Sequence, residues 1–353
     1  MLNVQIVLFD GFDLMDALAP YEVFSAVSLY LDNAIALELV TAEGPRFVPS
    51  GMGGLRIEAS GRLSPERGGI VLVPGAAGGV EGDGYDSVPA ILGRAMTTDL
   101  TGLMGQALAR PDVTVATVCG GSLLLAMGGL LEGRHAVTHR LGMGIFGATG
   151  AIPVPARVVD DGDLVSGGGV TSGLDVALYL VERELGPRIA HEIERLFEYE
   201  RRGTPWRQQG LAPIVRPLSA DEAQTEEPDF AESTIAGPLS TSESMSVYDG
   251  EWETTIATPV GKLAVQLSIA TRDGRIQGTA TQGGETVELL NPVVAKGNLQ
   301  WSMRVAKPMR LHLKFEVAVD GDRMVGAAKA GILPASKLTG RRVAGPNAAT
   351  VQA

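Results

Sequence analysis

Val113–Thr114–Val115–Ala116–Thr117–Val118–Cys119–Gly120–Gly121–Ser122–Leu123–Leu124–Leu125–Ala126–Met127–Gly128–Gly129–Leu130 is the stretch on which the reading of this chain turns. The six residues Val113 to Val118 are apolar or β-branched, the pattern of a strand buried inside a parallel sheet. Two glycines and a serine follow, and then an apolar helical run. Cys119, the single cysteine of the chain, therefore stands where a strand gives way to a helix, on a sharp turn made possible by small residues. A nucleophile so placed projects from the carboxyl end of a sheet. The unpaired amides of the helix's first turn face it, and their partial positive charge is expected to lower the thiol pKa and to hold an oxyanion. A lone cysteine is also a common inert packing residue. The stretch alone leaves both readings open.

Working outward, strands and helices alternate. Asn3 to Phe9 reads as the first strand, and Met15 to Tyr30 as a helix with Leu18, Val23, Phe24 and Val27 on one stripe. Leu37 to Thr41 is a second strand, and the Gly-rich run around Ser50–Gly51–Met52–Gly53–Gly54 reads as short extended pieces or a hairpin. Gly69 to Val73 is a buried strand that stops at Pro74–Gly75–Ala76–Ala77–Gly78–Gly79, a loop whose small residues let backbone amides approach a ligand. Val88 to Leu108 reads as mostly helical, with Ser87 as its cap. Beyond the cysteine lie a short extended segment at Gly133–Arg140, an Asp–Gly hairpin at Val158–Ser166, and helices over Leu174–Leu185 and about Arg188–Tyr199. This alternation predicts an α/β domain around a parallel sheet.

Charge divides the chain. Asp and Glu outnumber Lys and Arg by 25 to 15 up to Gly210 and by 7 to 1 from Leu211 to Tyr248, whereas from Asp249 onward they number 9 against 13. The middle stretch also carries four prolines and few large apolar residues, which predicts a linker over 211–248. After it, alternating segments at Trp252–Ala257, Lys262–Ala270, Arg275–Thr281, Thr286–Leu290, Leu299–Arg304, Leu311–Val319 and Met324–Ala330 predict an antiparallel sheet closing into a small barrel or curved sandwich. The expected organisation is thus an α/β catalytic domain over 1–210, the linker, an all-β barrel-like domain over 249–345 and a frayed tail over 346–353. Trp252, Trp301 and Met303 line the interior of the second domain, as core or as cavity.

Composition narrows the function classes. A net charge of −12 opposes general nucleic-acid binding. One cysteine excludes an internal disulfide framework or a Cys-rich zinc site, and His135, His139, His191 and His312 lack metal-ligand spacing, so no metal is expected. No apolar run reaches membrane-spanning length, and the N-terminus lacks a signal-peptide pattern. A cytoplasmic location is expected. Glycines before helices invite a phosphate-loop reading, but Walker A spacing and its lysine are absent.

Several motifs in order carry a resemblance. Asp16–Ala17–Leu18–Ala19–Pro20–Tyr21–Glu22–Val23–Phe24, Val73–Pro74–Gly75, Thr117–Val118–Cys119–Gly120–Gly121–Ser122, Leu130–Leu131–Glu132–Gly133–Arg134, Thr138–His139 and Gly167–Gly168–Gly169–Val170–Thr171–Ser172–Gly173–Leu174–Asp175 resemble the ThiJ/PfpI superfamily over about Asn3 to Gln209. Among its branches the isonitrile hydratases are the most similar. The resemblance implies a flavodoxin-like fold, a parallel sheet flanked by helices. It also implies Cys119 as elbow nucleophile, Asp16 as the acid beside the thiolate, and the Gly75 and Gly120 amides around an anion pocket that takes in Ala76. Thr138–His139 is implied to lie near the site. A homodimer, a small electrophilic substrate and no cofactor are implied as well.

Two departures stand out. The branch usually has a hydroxyl residue directly after the cysteine, where this chain has Gly120. The protease-like branch has a histidine there, and this chain has none. A regulator branch carries a DNA-binding helical domain behind the same fold, whereas here β segments follow.

The implied chemistry is attack by the Cys119 thiolate on an electrophilic carbon, with Asp16 relaying a proton. For an isonitrile this gives a thioimidate and then an N-substituted formamide. Glyoxalase-type hydration, amide hydrolysis and a non-catalytic redox-sensing thiol are the alternatives. Other readings of the same residues stay open: Asp16 as a first-turn helix acid, Glu22 as a surface or capping acid, His139 as a structural histidine, and Thr171 and Ser172 as helix caps rather than pocket residues.

Overall fold

The computed structural model describes residues 1–80, 84–211, 246–258, 261–272, 274–295, 297–305, 311–330 and 335–344. The expected tail over 346–353 and nearly all of the expected linker over 211–248 lie outside them.

In the first part the strands are β1 (Leu2–Val7), β2 (Ile35–Thr41), β3 (Arg46–Pro49), β4 (Arg56–Ala59), β5 (Gly61–Arg62), β6 (Gly69–Val73), β7 (Val113–Val118), β8 (His135–Ala136), β9 (Ile152–Pro153), β10 (Val158–Asp160), β11 (Leu164–Gly167) and β12 (Trp206–Arg207). The helices are α1 (Leu14–Ala26), α2 (Val88–Met96), α3 (Leu100–Leu108), α4 (Gly121–Met127), α5 (Met143–Ala148), α6 (Ser172–Leu185) and α7 (Pro187–Phe197). The main sheet runs β12-β10-β11-β7-β6-β1-β2-β5. It is parallel except where β10 and β11 form the expected hairpin. The central strands β1, β6 and β7 carry Val4, Ile6, Val71, Leu72, Val115 and Ala116, all buried, because helices cover both faces. The flavodoxin-like expectation is met.

The mostly helical stretch Val88–Leu108 is two helices. The Ser87 hydroxyl caps the first by accepting from the Ala90 amide at 3.4 Å. Thr97 and Thr98 then end it, their hydroxyls returning to the Arg94 and Ala95 carbonyls at 2.8 Å, the local bonding by which threonine competes with a helical backbone. Of the extended segment expected at Gly133–Arg140, only β8 is a strand. Helix α5 and strand β12 have no counterpart in the sequence reading.

The second part is an antiparallel sheet of β13 (Gly250–Thr258), β14 (Gly261–Arg272), β15 (Arg275–Gln282), β16 (Glu285–Glu288), β17 (Leu290–Ala295), β18 (Asn298–Val305), β19 (Leu311–Asp320), β20 (Arg323–Ala330) and β21 (Ser336–Ala344). The order is β16-β15-β14-β13-β21-β20-β19-β18-β17. Every paired neighbour is consecutive in the chain except β13 and β21, which join its two ends. The open seam falls between β16 and β17, which the single buried residue Leu289 connects. The result is a nearly closed up-and-down barrel. Its core holds Trp252, Leu267, Ile269, Leu299, Trp301, Met303, Phe315, Val317, Met324 and Leu338. Trp301 stacks on Phe315 with centroids 4.9 Å apart, and the Trp252 indole N–H donates to the Tyr248 carbonyl at 2.9 Å.

The barrel meets the α/β part at Glu132. Its carboxylate lies 3.6 Å from the Arg304 guanidinium and 3.8 Å from His312 Nε2. Among the described residues, no helix is long and apolar enough to cross a membrane.

Candidate active site

Strand β7 ends at Val118 and helix α4 begins at Gly121, so only Cys119 and Gly120 make the turn. Cys119 adopts φ 55°, in the left-handed region that side-chain-bearing residues seldom occupy. Such a conformation costs about 1–2 kcal/mol and persists where surrounding bonds hold it. Here they do. The Cys119 amide donates to the Gly167 carbonyl at 2.9 Å, and the Cys119 carbonyl accepts from the Thr138 hydroxyl at 2.9 Å. The close approach that makes the turn possible requires glycine at 121, where a Cβ would lie 2.2 Å from the Val73 carbonyl oxygen.

Asp16 reaches the cysteine from the first turn of α1. Asp13 caps that helix, its carboxylate accepting from the Met15 amide at 2.8 Å and the Asp16 amide at 3.3 Å. Asp16 is fully buried. One carboxyl oxygen, Oδ2, accepts from the Gly75 amide at 2.9 Å. The other, Oδ1, has no hydrogen-bond partner among the described residues. The Asp16 charge disfavours the ionised Cys119 thiol, and the Gly120 amide favours it. Pro20, buried one turn on in α1, packs its ring 3.2 Å from where a Cβ on Gly173 would be, which lets α1 and α6 close over the site.

Electrostatics run against one expectation. The helix-terminal amides were expected to depress the thiol pKa. The Gly120 amide does act in that direction, but burial and then the Asp16 charge raise it, and they win. Burial, with Asp13 adding to it, pushes the Asp16 carboxyl up to about 8. Thiol and carboxyl form a coupled pair in a poorly solvated place, where the first charge is costly and a second beside it costlier still.

The remaining expected site residues divide. Gly75 is at the site, but its amide is held by Asp16 rather than free for an anion. A Cβ there would come within 2.5 Å of the Gly120 nitrogen and 2.8 Å of Asp16 Oδ2. Ala76 follows it, bridged to Phe12 so that the flanking Gly75 carbonyl and Ala77 amide are bonded to the Gly11–Asp13 loop. Its own amide has no backbone partner among the described residues. Gly120 has open space beside it, since a Cβ would make only ordinary contacts with Gly75, Leu92 and Ala76 at 3.5–3.7 Å.

His139 is not bonded to Cys119 or Asp16. Its Nδ1 accepts from the Leu141 amide at 3.4 Å and so stabilises a turn. Thr171 is exposed and accepts from Arg157 at 3.1 Å, part of a cluster in which Asp175 also binds Arg157 and Tyr199. It is bonded neither to the α6 amides nor to the cysteine pair; Ser172 does not cap the helix either, its hydroxyl turning back to accept from the Gly169 amide at 3.0 Å. Glu22 is exposed. Asp13 and the Thr138 hydroxyl are contributors that the sequence reading passed over. Both are visible in it only as a cap-type residue before a helix and as half of a Thr–His motif.

The profile of the DJ-1/PfpI family matches residues 3–183, just over half of the chain. The chain belongs to the DJ-1/PfpI family. Its relatives include the isonitrile hydratase of Pseudomonas putida, 38% identical over 130 residues, which are 37% of this chain and 51% of that protein. The transcriptional regulator CdhR of Pseudomonas aeruginosa is 25% identical over 192 residues, 54% of this chain and 53% of the regulator. The chain therefore spans about half the length of each of these curated relatives. Among solved structures, a ThiJ/PfpI family protein from Pseudomonas syringae is 26% identical with a TM-score of 0.48, covering 58% of this chain and 77% of that one. The DJ-1/PfpI match ends before the barrel begins.

Proposed function

We propose that this DJ-1/PfpI protein is a cofactor-independent enzyme that hydrates an isonitrile to an N-substituted formamide, with Cys119 as nucleophile and Asp16 as proton carrier. The observation that supports it most is the buried Cys119–Asp16 pair, with the Gly75 amide bonded to the carboxyl and the Gly120 amide favouring the ionised thiol. The likeness to an isonitrile hydratase points to the substrate class.

In the proposed reaction the pair has lost one proton, from Asp16, and the thiol passes its own proton to that carboxylate as it attacks, leaving sulfur negative and Asp16 protonated. The sulfur lone pair bonds to the terminal isonitrile carbon, and Asp16 delivers its proton to that carbon. The product is an enzyme-bound thioimidate. The Asp16 carboxylate then takes a proton from water as the hydroxyl adds to the same carbon. The hydroxyl proton passes to nitrogen, the C–S bond breaks, and the formamide leaves as the thiolate and the protonated acid are restored. Negative charge that develops on the substrate is met by the Gly120 and Ala76 amides.

Gly120 supports a second reading. Without the hydroxyl usual in the isonitrile branch, the same thiol suits a carbonyl electrophile such as a reactive aldehyde. Turnover assays with an isonitrile panel and a dicarbonyl panel, each repeated on Cys119→Ala, separate the two. Formamide formation that disappears in Cys119→Ala supports the first reading. Turnover of dicarbonyls alone replaces it with the second. Turnover that survives in Cys119→Ala removes both.

A further inference from the structure

We propose that Thr138 is a positioning residue whose hydroxyl, by holding the Cys119 carbonyl, aims the Gly120 amide at the sulfur and at the reacting atom. The inference rests on Cys119 being the reactive group. A trans peptide is planar, and its C=O and N–H point in opposite directions. The peptide between Cys119 and Gly120 therefore has one rotational setting once its carbonyl is fixed. Thr138 fixes it at 2.9 Å, and Thr138 is itself buried. The opposite edge of that peptide is the Gly120 amide, which favours the ionised thiol.

Cys119 at φ 55° occupies a small region that its own backbone does not favour and that surrounding bonds must hold. The bond from Thr138 supplies what the local conformation does not. The segment that carries Thr138 is anchored in turn. The Val137 amide donates to the buried Ser166 hydroxyl at 3.0 Å on β11, the strand that also receives the Cys119 amide through Gly167. Ser166, Val137, Thr138 and Cys119 thus form one chain of bonds between the sheet and the turn. Thr138 is buried and bonds the Cys119 carbonyl, so its effect passes through that peptide.

The chain has a single cysteine, so alkylation by iodoacetamide, followed by intact mass, reads Cys119 without knowledge of the substrate. The charged groups facing the sulfur are Asp16 and Asp13, and both stay in every variant. Thr138→Val keeps the shape and removes the donor; Thr138→Ser keeps the donor. In Thr138→Val the midpoint of the alkylation pH profile is expected to rise by about one unit, as loss of a bond to the thiolate dictates. With turning-over substrate, kcat is expected to fall about tenfold or more at unchanged KM, the signature of a donor that acts in the transition state. Thr138→Ser should restore both.

An unmoved midpoint in Thr138→Val, or a Thr138→Ser variant as impaired as Thr138→Val, overturns the proposal. Should Thr138→Val not fold, Ser166→Ala, which frees the Val137 amide and slackens the same segment, is read in the same two ways. Absence of isonitrile turnover by the wild-type protein would end the hydratase reading while leaving the alkylation profile to decide on Thr138.

Discussion

A carboxyl group sealed from water resists ionisation, and Asp16 is such a group. Its folded-state pKa of about 8 stands above the ordinary 3.8 chiefly because of burial. The folded protein therefore keeps a proton that the unfolded chain gives up near pH 4, and the stability linked to it is present at low pH and lost as pH rises toward 8. Asp16→Asn removes this dependence. Thermal unfolding at pH 8.5 should show the variant melting at least about 4 °C above wild type, the shift that about 1–2 kcal/mol produces in a domain of this size, and the gain should vanish at pH 4. Activity should move the other way. Wild-type turnover is expected to rise as pH approaches 8 and the pair loses its first proton, while Asp16→Asn, with no carboxylate to carry that proton, should lose about 100-fold or more in kcat. Both residues of the pair were legible in the sequence, one from a strand–turn–helix pattern and one from a family motif. The direction of the thiol's shift was not, because a dipole can be read from spacing whereas desolvation depends on everything packed around the sulfur. The role of Gly75 was misplaced for a similar reason: its position was evident, but which acceptor its amide meets is a property of the folded loop.

Elements are placed by contacts too close for a side chain. At Gly121, strand β6 and helix α4 approach until a Cβ would overlap the Val73 carbonyl at 2.2 Å. Gly121→Ala is expected to destabilise by about 1–3 kcal/mol and to slow Cys119 alkylation, since either element must move. Gly120→Thr is the contrast. Its Cβ meets nothing nearer than 3.5 Å and its backbone is helical at φ −70°, so the melting temperature should stay within about 2 °C of wild type. A gain in isonitrile turnover in this variant would show that the missing hydroxyl limits the rate. At this scale the long apolar strands were plain in the sequence, as was the Asp–Gly hairpin. The stretch over α2 and α3 was legible as mostly helical, but the place of its break was not, because threonine bonding to the preceding turn looks, in sequence, like continued amphipathic helix. Strand β21 was hidden too. Its Lys337, Arg341 and Arg342 dilute the alternation, and among its residues of described burial Leu338 alone is in the barrel core.

On the scale of the whole molecule, two hydrophobic cores share no residue, one in the α/β part and one in the barrel. Residues 1–210 expressed alone are therefore expected to fold with a cooperative melt and a reactive Cys119, and a truncated protein that aggregates would show that the barrel covers an apolar face it needs. The Glu132 contact with Arg304 and His312 is largely exposed, at 3.6 and 3.8 Å, and such pairs contribute at most about 1 kcal/mol. Glu132→Ala should leave both melts in place and increase the radius of gyration in small-angle scattering; an unchanged radius would show that other contacts suffice. The split in charge balance between the two parts was visible in composition, whereas the one carboxylate that meets both basic groups was not.

The ring closure in the second part has a mechanical corollary. Strands β13 and β21 run antiparallel, with Glu251 opposite Ala344, so the segments entering and leaving the barrel emerge at the same end of one ladder. A tensile load applied through those segments reaches the hydrogen bonds one rung after another instead of shearing them all together, because the ladder's bonds lie across the strands. Once that ladder parts, each next strand is peeled in the order of the chain. An unfoldase threading the polypeptide would meet a zipper rather than a clamp, and single-molecule pulling should record a low-force, stepwise unravelling of this part while the parallel sheet, where neighbouring strands are far apart in sequence, still holds.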